Sequence, residues 1–408
     1  MLLKRTPGGL ALSVTIMGTI MAATTGIIGA SVVMMSLLAL PVMLQRGYQV
    51  QLATGTIAAS ATLGILIPPS IMLVIMADLL SISVGTLFLA AVFPGLLLAV
   101  LYLVYIYVRT RLNPSLAPPL PDSLGPDTKA ELYIMVIRSF VPPIALIGFV
   151  LGSIFAGWAT PTEAAAFGVT GALILALINN SGPPIAGWFL KKLNASGSTT
   201  STIARWQERY PQVDGHMRES MSINIDMIKD SVLSTVRTSS MIMLIVIAAF
   251  TLSFAFARLG ISHDISQWII NMDLSSTELV IVLVIFYLLL GTFMESFAML
   301  VTTVPILAPA LVATGVDLVW FGIIMVILVE AALISPPEGI NLYVLHGVRR
   351  DVQTEMNEAA GAAEEIGTIT DVYIGVLPFM AVMASIIVLL IIFPDIALWL
   401  PDQVKGSR

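Results

Sequence analysis

The chain has 408 residues, 57% of them hydrophobic and 11% charged, with a formal net charge of −6 and a mean hydropathy of +0.96. A soluble domain carries about 25% charged residues, so this composition excludes a soluble globular protein and makes net charge a poor guide to partners. Cysteine is absent, which excludes disulfides, thiolate metal sites and thiol nucleophiles.

The N-terminal stretch MLLKRTPGGLALSV places basic residues before an apolar run. The run is long and enters a Gly-rich turn instead of a cleavage site, so it reads as membrane structure and not as a signal peptide. The first apolar block, 9–45, is interrupted by ATTGIIGAS at 23–31. A straight helix of that length would overshoot a hydrocarbon core of about 30 Å at about 1.5 Å per residue. The spacing predicts a hairpin that enters and leaves on one side, with its tip between Gly26 and Ser31. Block 50–80 is broken by Pro68 and Pro69, so 1–80 forms a first hairpin plus broken helix. Spans follow at 84–108, 132–156 and 161–178, placing scaffold helices within 81–180. TPTEAAA opens the third with a capping box: Thr160 at the cap, Pro161 at N1 and Glu163 at N3. Residues 181–230 are a polar insertion. Within 231–276 a span at 231–258 is followed by a short amphipathic piece, ISHDISQWIINM. Residues 277–314 form a second overlong block, interrupted by GTFMES at 291–296, and the next block carries Pro336 and Pro337, so 277–348 is a second hairpin plus broken helix. A polar insert (349–370) and a last span (371–399) with its tail to 408 complete the chain. Trp158, Trp268, Trp320 and Trp399 fall near segment ends, as an interfacial belt requires.

The halves repeat. Pro41 and Pro309, Gly47 and Gly315, Pro68 and Pro336, and Pro69 and Pro337 are each separated by 268 positions, a repeat signal reinforced by the shared block order. Five crossings separate the hairpins, an odd number, so the second enters from the opposite face and the repeats are inverted. Loop charges agree. Arg46, Arg109, Arg111, Lys129, Lys191, Lys192, Arg205, Arg209, Arg218, Lys229, Arg349 and Arg350 all fall on the side of Lys4 and Arg5, 259–348 contains no Lys or Arg, and only Arg258, Lys405 and Arg408 fall outside. That asymmetry assigns their side to the cytoplasm, which also receives the 181–230 and 349–370 inserts. The fold class is therefore an all-α polytopic membrane protein with inverted repeats, two re-entrant hairpins and two Pro-broken helices.

Inside lipid, broken helices survive only where protein or a water-filled cavity surrounds them. Proline removes an amide donor and clashes with the preceding turn. Consecutive prolines free several carbonyls, which suit a cation, while the exposed amides of the following half-helix suit an anion. The double prolines read as builders of an ion and substrate site at mid-bilayer. Glu330 lies within an apolar run and aligns with Thr62 across the repeat. An intramembrane carboxylate is costly and marks a functional site or a hydrogen-bonded brace of the broken helix.

GASVVMMSLLALPVMLQRGY (29–48), GTIAASATLGILIPPSI (55–71), GWATPTEAAAFG (157–168), GTFMESFAMLVTTVPILAPALVATGVDLVWFGI (291–323) and ISPPEGINLYV (334–344) carry a resemblance. In this order they are similar to the large membrane (permease) subunit of tripartite ATP-independent periplasmic (TRAP) transporters. The resemblance implies a sodium-coupled elevator-type importer of organic anions, mostly carboxylates. It also implies a small four-helix membrane subunit, a soluble periplasmic binding protein, and a multi-pass place in a bacterial or archaeal inner membrane. Family members begin with further helices, whereas only eight residues precede the first hairpin here, so the chain reads as N-terminally truncated relative to the family.

Sodium prefers hard oxygen ligands. On that ground the first sodium site draws on Gly26, Gly29 and Ser31 at the tip and Ser60, Thr62 and Gly64 on the broken helix. The second draws on Thr292, Glu295 and Ser296 at the tip and Ser335, Pro336, Gly339 and Asn341 across from it, with Glu330 as a site-proximal acid. Small residues that let helices approach closely are the competing explanation. No P-loop is present, which disfavours ATP coupling, and nothing in the sequence points to nucleic acid. Rival readings are a sodium or proton antiporter on the same plan, an inactive scaffold fragment, and an intramembrane hydrolase. The last would need a membrane-embedded base beside its serine, and no membrane-embedded His or Lys accompanies the serines.

Overall fold

The computed structural model describes residues 3, 5–25, 28–121, 129–194, 217–337, 339–361 and 367–406. Among them the regular structure is all helical. The order is α1 (Gly9–Thr25), α2 (Ile28–Gln45), α3 (Val50–Thr62) with a 3-10 turn (Leu63–Ile65), α4 (Ile71–Leu79), α5 (Val84–Leu112), a second 3-10 turn (Pro114–Leu116), α6 (Lys129–Phe155), α7 (Pro161–Asn194), α8 (Met217–Arg258), α9 (Ile261–Ile270), α10 (Ser276–Leu290), α11 (Ser296–Ala313), α12 (Leu318–Leu333), α13 (Ile340–Ala360), α14 (Ile369–Ile392) and α15 (Asp395–Gly406). Six helices among the described residues are long and apolar enough to cross a membrane.

Two units can be distinguished: Met1–Ile147 with Val246–Arg408, and Gly148–Ile245. In the second unit, Phe149 and Phe167 pack with ring centroids 5.9 Å apart. The capping box forms as its sequence requires. The Thr160 amide donates to Glu163 Oε2 at 2.8 Å, and the Glu163 amide donates to Thr160 Oγ1 at 3.3 Å. Phe167, Val169 and Ile174 on α7 are exposed, as they are on a face that meets lipid. The helix itself continues to Asn194, beyond the expected end at 178, so the helical conformation carries on into the polar insertion.

The first unit holds both repeats, and their elements coincide at the 268-residue offset. It carries α2 onto α11 at both ends, the start of α3 onto the start of α12, and Ile65 onto Leu333. The C-termini of α2 and α11 close alike. Gly47 and Gly315 both have φ of +74°, and the amides of Tyr48 and Val316 donate to Met43 O at 3.1 Å and Leu311 O at 2.9 Å. Only glycine adopts that left-handed cap without a steric penalty. The Pro68–Pro69 and Pro336–Pro337 peptide bonds are both cis.

Each hairpin closes at its own base. The Leu10 amide donates to the Tyr48 hydroxyl at 3.1 Å, joining the start of α1 to the exit of α2. Ser276 Oγ donates to Thr314 O at 2.8 Å, joining the start of α10 to the exit of α11. The helix α14 fixes their relative direction. Its first turn meets the start of α3, where Gln51 Nε2 donates to Asp371 Oδ1 at 2.9 Å. Its last turn meets the start of α12, where Trp320 Nε1 donates to Leu390 O at 2.7 Å. The 24 residues of α14 extend about 36 Å at 1.5 Å per residue, enough to reach from one face of a bilayer to the other. Consequently α3 and α12 run antiparallel, and the hairpins enter this unit from opposite ends.

Packing within the unit also draws α5 and α14 against the hairpin elements. α14 and α1 lie on α3, α13 lies on α2, and α5 lies beside α12 and α4. The α3–α14 contact depends on small residues. A Cβ on Gly55 would collide with the Gly375 carbonyl, and a Cβ on Gly375 would collide with the Gln51 carbonyl.

Three sequence expectations change here. Trp320 is buried and hydrogen-bonded, not part of an interfacial belt. The last apolar segment is two helices, since α14 stops at Ile392 before Pro394, and Trp399 on α15 packs on Phe93 of α5 with centroids 5.4 Å apart. Arg349 is 1% exposed and not a loop charge. It lies within α13, where its Nη2 donates to Asp371 Oδ2 at 2.9 Å, Nη1 to Thr368 O at 3.1 Å and Nε to Gln353 Oε1 at 3.0 Å.

Candidate functional site: the paired helix breaks

The breaks lie where their prolines put them. α3 tightens into the 3-10 turn at Leu63–Ile65 before Pro68, and α12 ends at Leu333 before Pro336. Thr62 lies 12 residues into its repeat helix from Val50, and Glu330 lies 12 residues in from Leu318. At 1.5 Å per residue each is about 18 Å from its end of the unit, near the middle of a hydrocarbon core about 30 Å thick. There they meet: Thr62 Oγ1 shares its proton between Ala59 O and Glu330 Oε1, each at 3.0 Å, with Thr62 and Glu330 fully buried. Glu330 Oε2 has no hydrogen-bond partner. The hydroxyl of Tyr102 on α5 is also buried without a partner and lies within electrostatic reach of Glu330.

The second hairpin tip touches the second break. A Cβ on Gly291 would lie 2.7 Å from the Ala332 Cβ, three residues before Ser335. The tip is a turn in which the amides of Gly291 and Met294 donate to Tyr287 O at 2.8 Å and Leu290 O at 3.0 Å. Thr292 Oγ1 donates to Leu289 O at 2.7 Å. Glu295 is exposed, and its Oε2 accepts from the Ala298 amide at 2.7 Å as the cap of α11. Its side chain is therefore used in capping, and Ser296 is the buried first residue of that helix. At the second break, Ser335 and Asn341 are buried, the Gly339 amide donates to Ser335 O at 2.9 Å, and Asn341 Nδ2 has no partner. Pro336 is half-buried, and the carbonyl of Pro337 accepts from the hydroxyls of Tyr343 at 2.9 Å and Tyr373 at 3.3 Å.

The first site is less compact. Gly26 lies outside the described residues. Gly29 is exposed and Ser31 buried, both in the first turn of α2 and not in a free tip. Ser60 Oγ donates to Thr15 Oγ1 at 3.1 Å, and Thr15 Oγ1 donates to Ala11 O at 3.1 Å. Thr15 is 10 residues before the end of α1, about 15 Å down the hairpin arm. Ser60 thus faces the arm, Thr62 faces the second repeat, and Gly64 is buried within the 3-10 turn. Thr15, Tyr102, Tyr343 and Tyr373 escaped sequence reasoning, because their partners are remote in sequence and no local spacing announces them.

Opposed hairpins against broken helices make a recognisable permease core, and comparison with known proteins agrees. The sequence model for the DctM component of tripartite ATP-independent periplasmic transporters matches residues 2–396. The chain belongs to the TRAP large-permease family. The C4-dicarboxylate TRAP transporter large permease protein DctM of Vibrio cholerae is 28% identical over 98% of this chain and 79% of that protein. Its Rhodobacter capsulatus counterpart is 30% identical over 97% of this chain and 79% of that protein. The sialic acid TRAP transporter large permease protein SiaM of Vibrio cholerae is 26% identical, with coverage of 88% and 69%. This TRAP chain is a multi-pass inner-membrane permease subunit and not an enzyme. The family operates in three-part, ATP-independent systems.

Proposed function

We propose that the chain is the membrane subunit of a sodium-driven importer of organic carboxylates, fed by a periplasmic binding protein and assembled with a small four-helix membrane subunit. The observation that carries this reading is the contact between Gly291 at the hairpin tip and Ala332 beside the Ser335–Gly339 break. Half-helix ends and unwound carbonyls are what broken helices offer to a coupling cation, and half-helix amides are what they offer to a carboxylate. Ser335, Pro336, Gly339 and the Thr292 turn are the proposed surroundings of one sodium ion, with Gly29, Ser31, Ser60, Thr62 and Gly64 the proposed region of the other. The hairpins and both broken helices are the proposed moving body, and α5 and α14 pack against them. Names of relatives support the substrate class: C4-dicarboxylates and sialic acid are both carboxylates.

The test is uptake of a radiolabelled C4-dicarboxylate panel into proteoliposomes containing both membrane subunits, with the cognate binding protein outside. Accumulation is expected only with an inward sodium gradient and the binding protein; uptake that persists without either overturns the proposal. Within the same assay, Ser335→Ala is expected to raise the half-activating sodium concentration about tenfold, equivalent to roughly 1.4 kcal/mol of lost ligation. Thr170→Val, on the exposed face of α7, should leave it unchanged. Equal sodium activation in both variants removes Ser335 from the site.

A further inference from the structure

Thr62 and Glu330 occupy the same register in their repeats, yet they hydrogen-bond to each other at 3.0 Å. Two residues related by an internal two-fold meet only on its axis. The bond is therefore a point at which the two inverted halves touch at equivalent positions, in the interior and close to both breaks. Thr62 directly precedes the Leu63–Ile65 turn. Glu330 is two residues before Ala332, on which the second hairpin tip rests. Any displacement of one break along its helix reaches the other through this contact.

We infer that the Thr62–Glu330 hydrogen bond is the joint that holds the two breaks in register, so that a cation bound at one is felt at the other. Both are positioning residues, and the inference rests on the sodium reading above. Glu330 uses one oxygen, Oε1, for the joint, and Oε2 has no partner. A glutamine preserves the acceptor and replaces the oxygen that bonds nothing. The joint therefore needs an acceptor at 330 and a hydroxyl at 62, not a carboxylate.

The sequence has no cysteine, so Met294→Cys, combined with a cysteine-free small subunit, supplies a single thiol in the tip of the second hairpin. Its alkylation rate by N-ethylmaleimide, titrated with sodium at constant ionic strength in the assembled membrane complex, reports occupancy without a substrate. The Met294→Cys parent is expected to be protected with a Hill coefficient between about 1.5 and 2, as two linked sites require. Adding Thr62→Val or Glu330→Met is expected to bring the coefficient to about 1 with sodium protection retained. Adding Thr62→Ser or Glu330→Gln is expected to keep the parental value. A parent with no sodium response overturns the sodium reading and this inference with it. A parental coefficient of 1, or a coefficient unchanged by Thr62→Val and Glu330→Met, overturns the inference alone. So does loss of protection in Glu330→Gln, which would make the carboxylate itself a cation ligand. If Thr62→Val does not accumulate, Glu330→Met and Glu330→Gln decide the matter.

Discussion

Gly375→Leu is expected to abolish accumulation of folded protein, and Gly375→Ala to lower stability by about 3 kcal/mol, the upper part of the usual overpacking range. The reason is the depth of the α3–α14 contact. A Cβ at 375 collides with the Gln51 carbonyl and comes within 3.0 Å of Thr54 Oγ1, and the reciprocal Cβ at Gly55 meets the Gly375 carbonyl. Backbone cannot rotate aside as a long side chain can, so the helices must separate. Separation would also strain the Gln51–Asp371 bond at their shared end. Small residues allow this closeness between membrane helices, where packing drives association. Gly347 on α13 is the control. A Cβ there meets nothing within 4 Å, and alanine removes the entropic cost of a helical glycine, worth about 1 kcal/mol. Thermal unfolding in detergent should therefore place Gly375→Ala well below the parent and Gly347→Ala at or above it. A Gly375→Ala variant as stable as the parent would show that α14 is not seated on α3 as described.

Asp371→Leu should cost about 3–5 kcal/mol, because it strands a buried guanidinium. Arg349 Nη2 bonds Asp371 Oδ2 at 2.9 Å, with side-chain exposures of 2% and 27%. Gln51 ties the other carboxylate oxygen to α3, so the cluster fastens α3, α13 and α14 at one end of the repeat unit. Asp371 also lies in the first turn of α14, where a negative charge is favoured by the helix dipole. Replacing both partners, Arg349→Met with Asp371→Leu, should restore much of the lost stability, since apolar pairs of similar volume often match buried ion pairs. The double-mutant cycle measures this directly. Additive losses would mean that the two groups do not support each other.

The repeat was legible in the sequence because glycine and proline punctuate it. Gly47 and Gly315 take the same left-handed cap, which glycine alone adopts without strain, and the pairs Pro68–Pro69 and Pro336–Pro337 follow the ends of their helices, whereas Pro142–Pro143 lie within α6. The capping box at Thr160 was legible for the same reason: its chemistry is local. The site was less so. The offset of 268 aligned Thr62 with Glu330, and inversion of the repeats already implied that residues on the axis meet their own equivalents. Neither fact says which equivalent pair lies on the axis, so the contact itself was visible only in the structure. Ser60 was read as a sodium-site residue on the broken helix, and its partner Thr15 is 45 positions away on the hairpin arm. Arg349 looked solvated because it follows the apolar block, and its acceptors are Gln353 on its own helix, Asp371 on α14 and the Thr368 carbonyl. Hydropathy told which segments span, but not that α5 and α14 pack with the hairpins, since lipid-facing and protein-facing helices are both apolar.

The proposed sodium ion lies between the second hairpin tip and the break at Ser335. Alkylation of Met294→Cys, compared in sodium and in potassium at equal ionic strength, tests this most directly. A rate about tenfold slower in sodium than in potassium, following the tenfold-per-1.4 kcal/mol relation, is the result predicted. Equal rates in the two salts would contradict it.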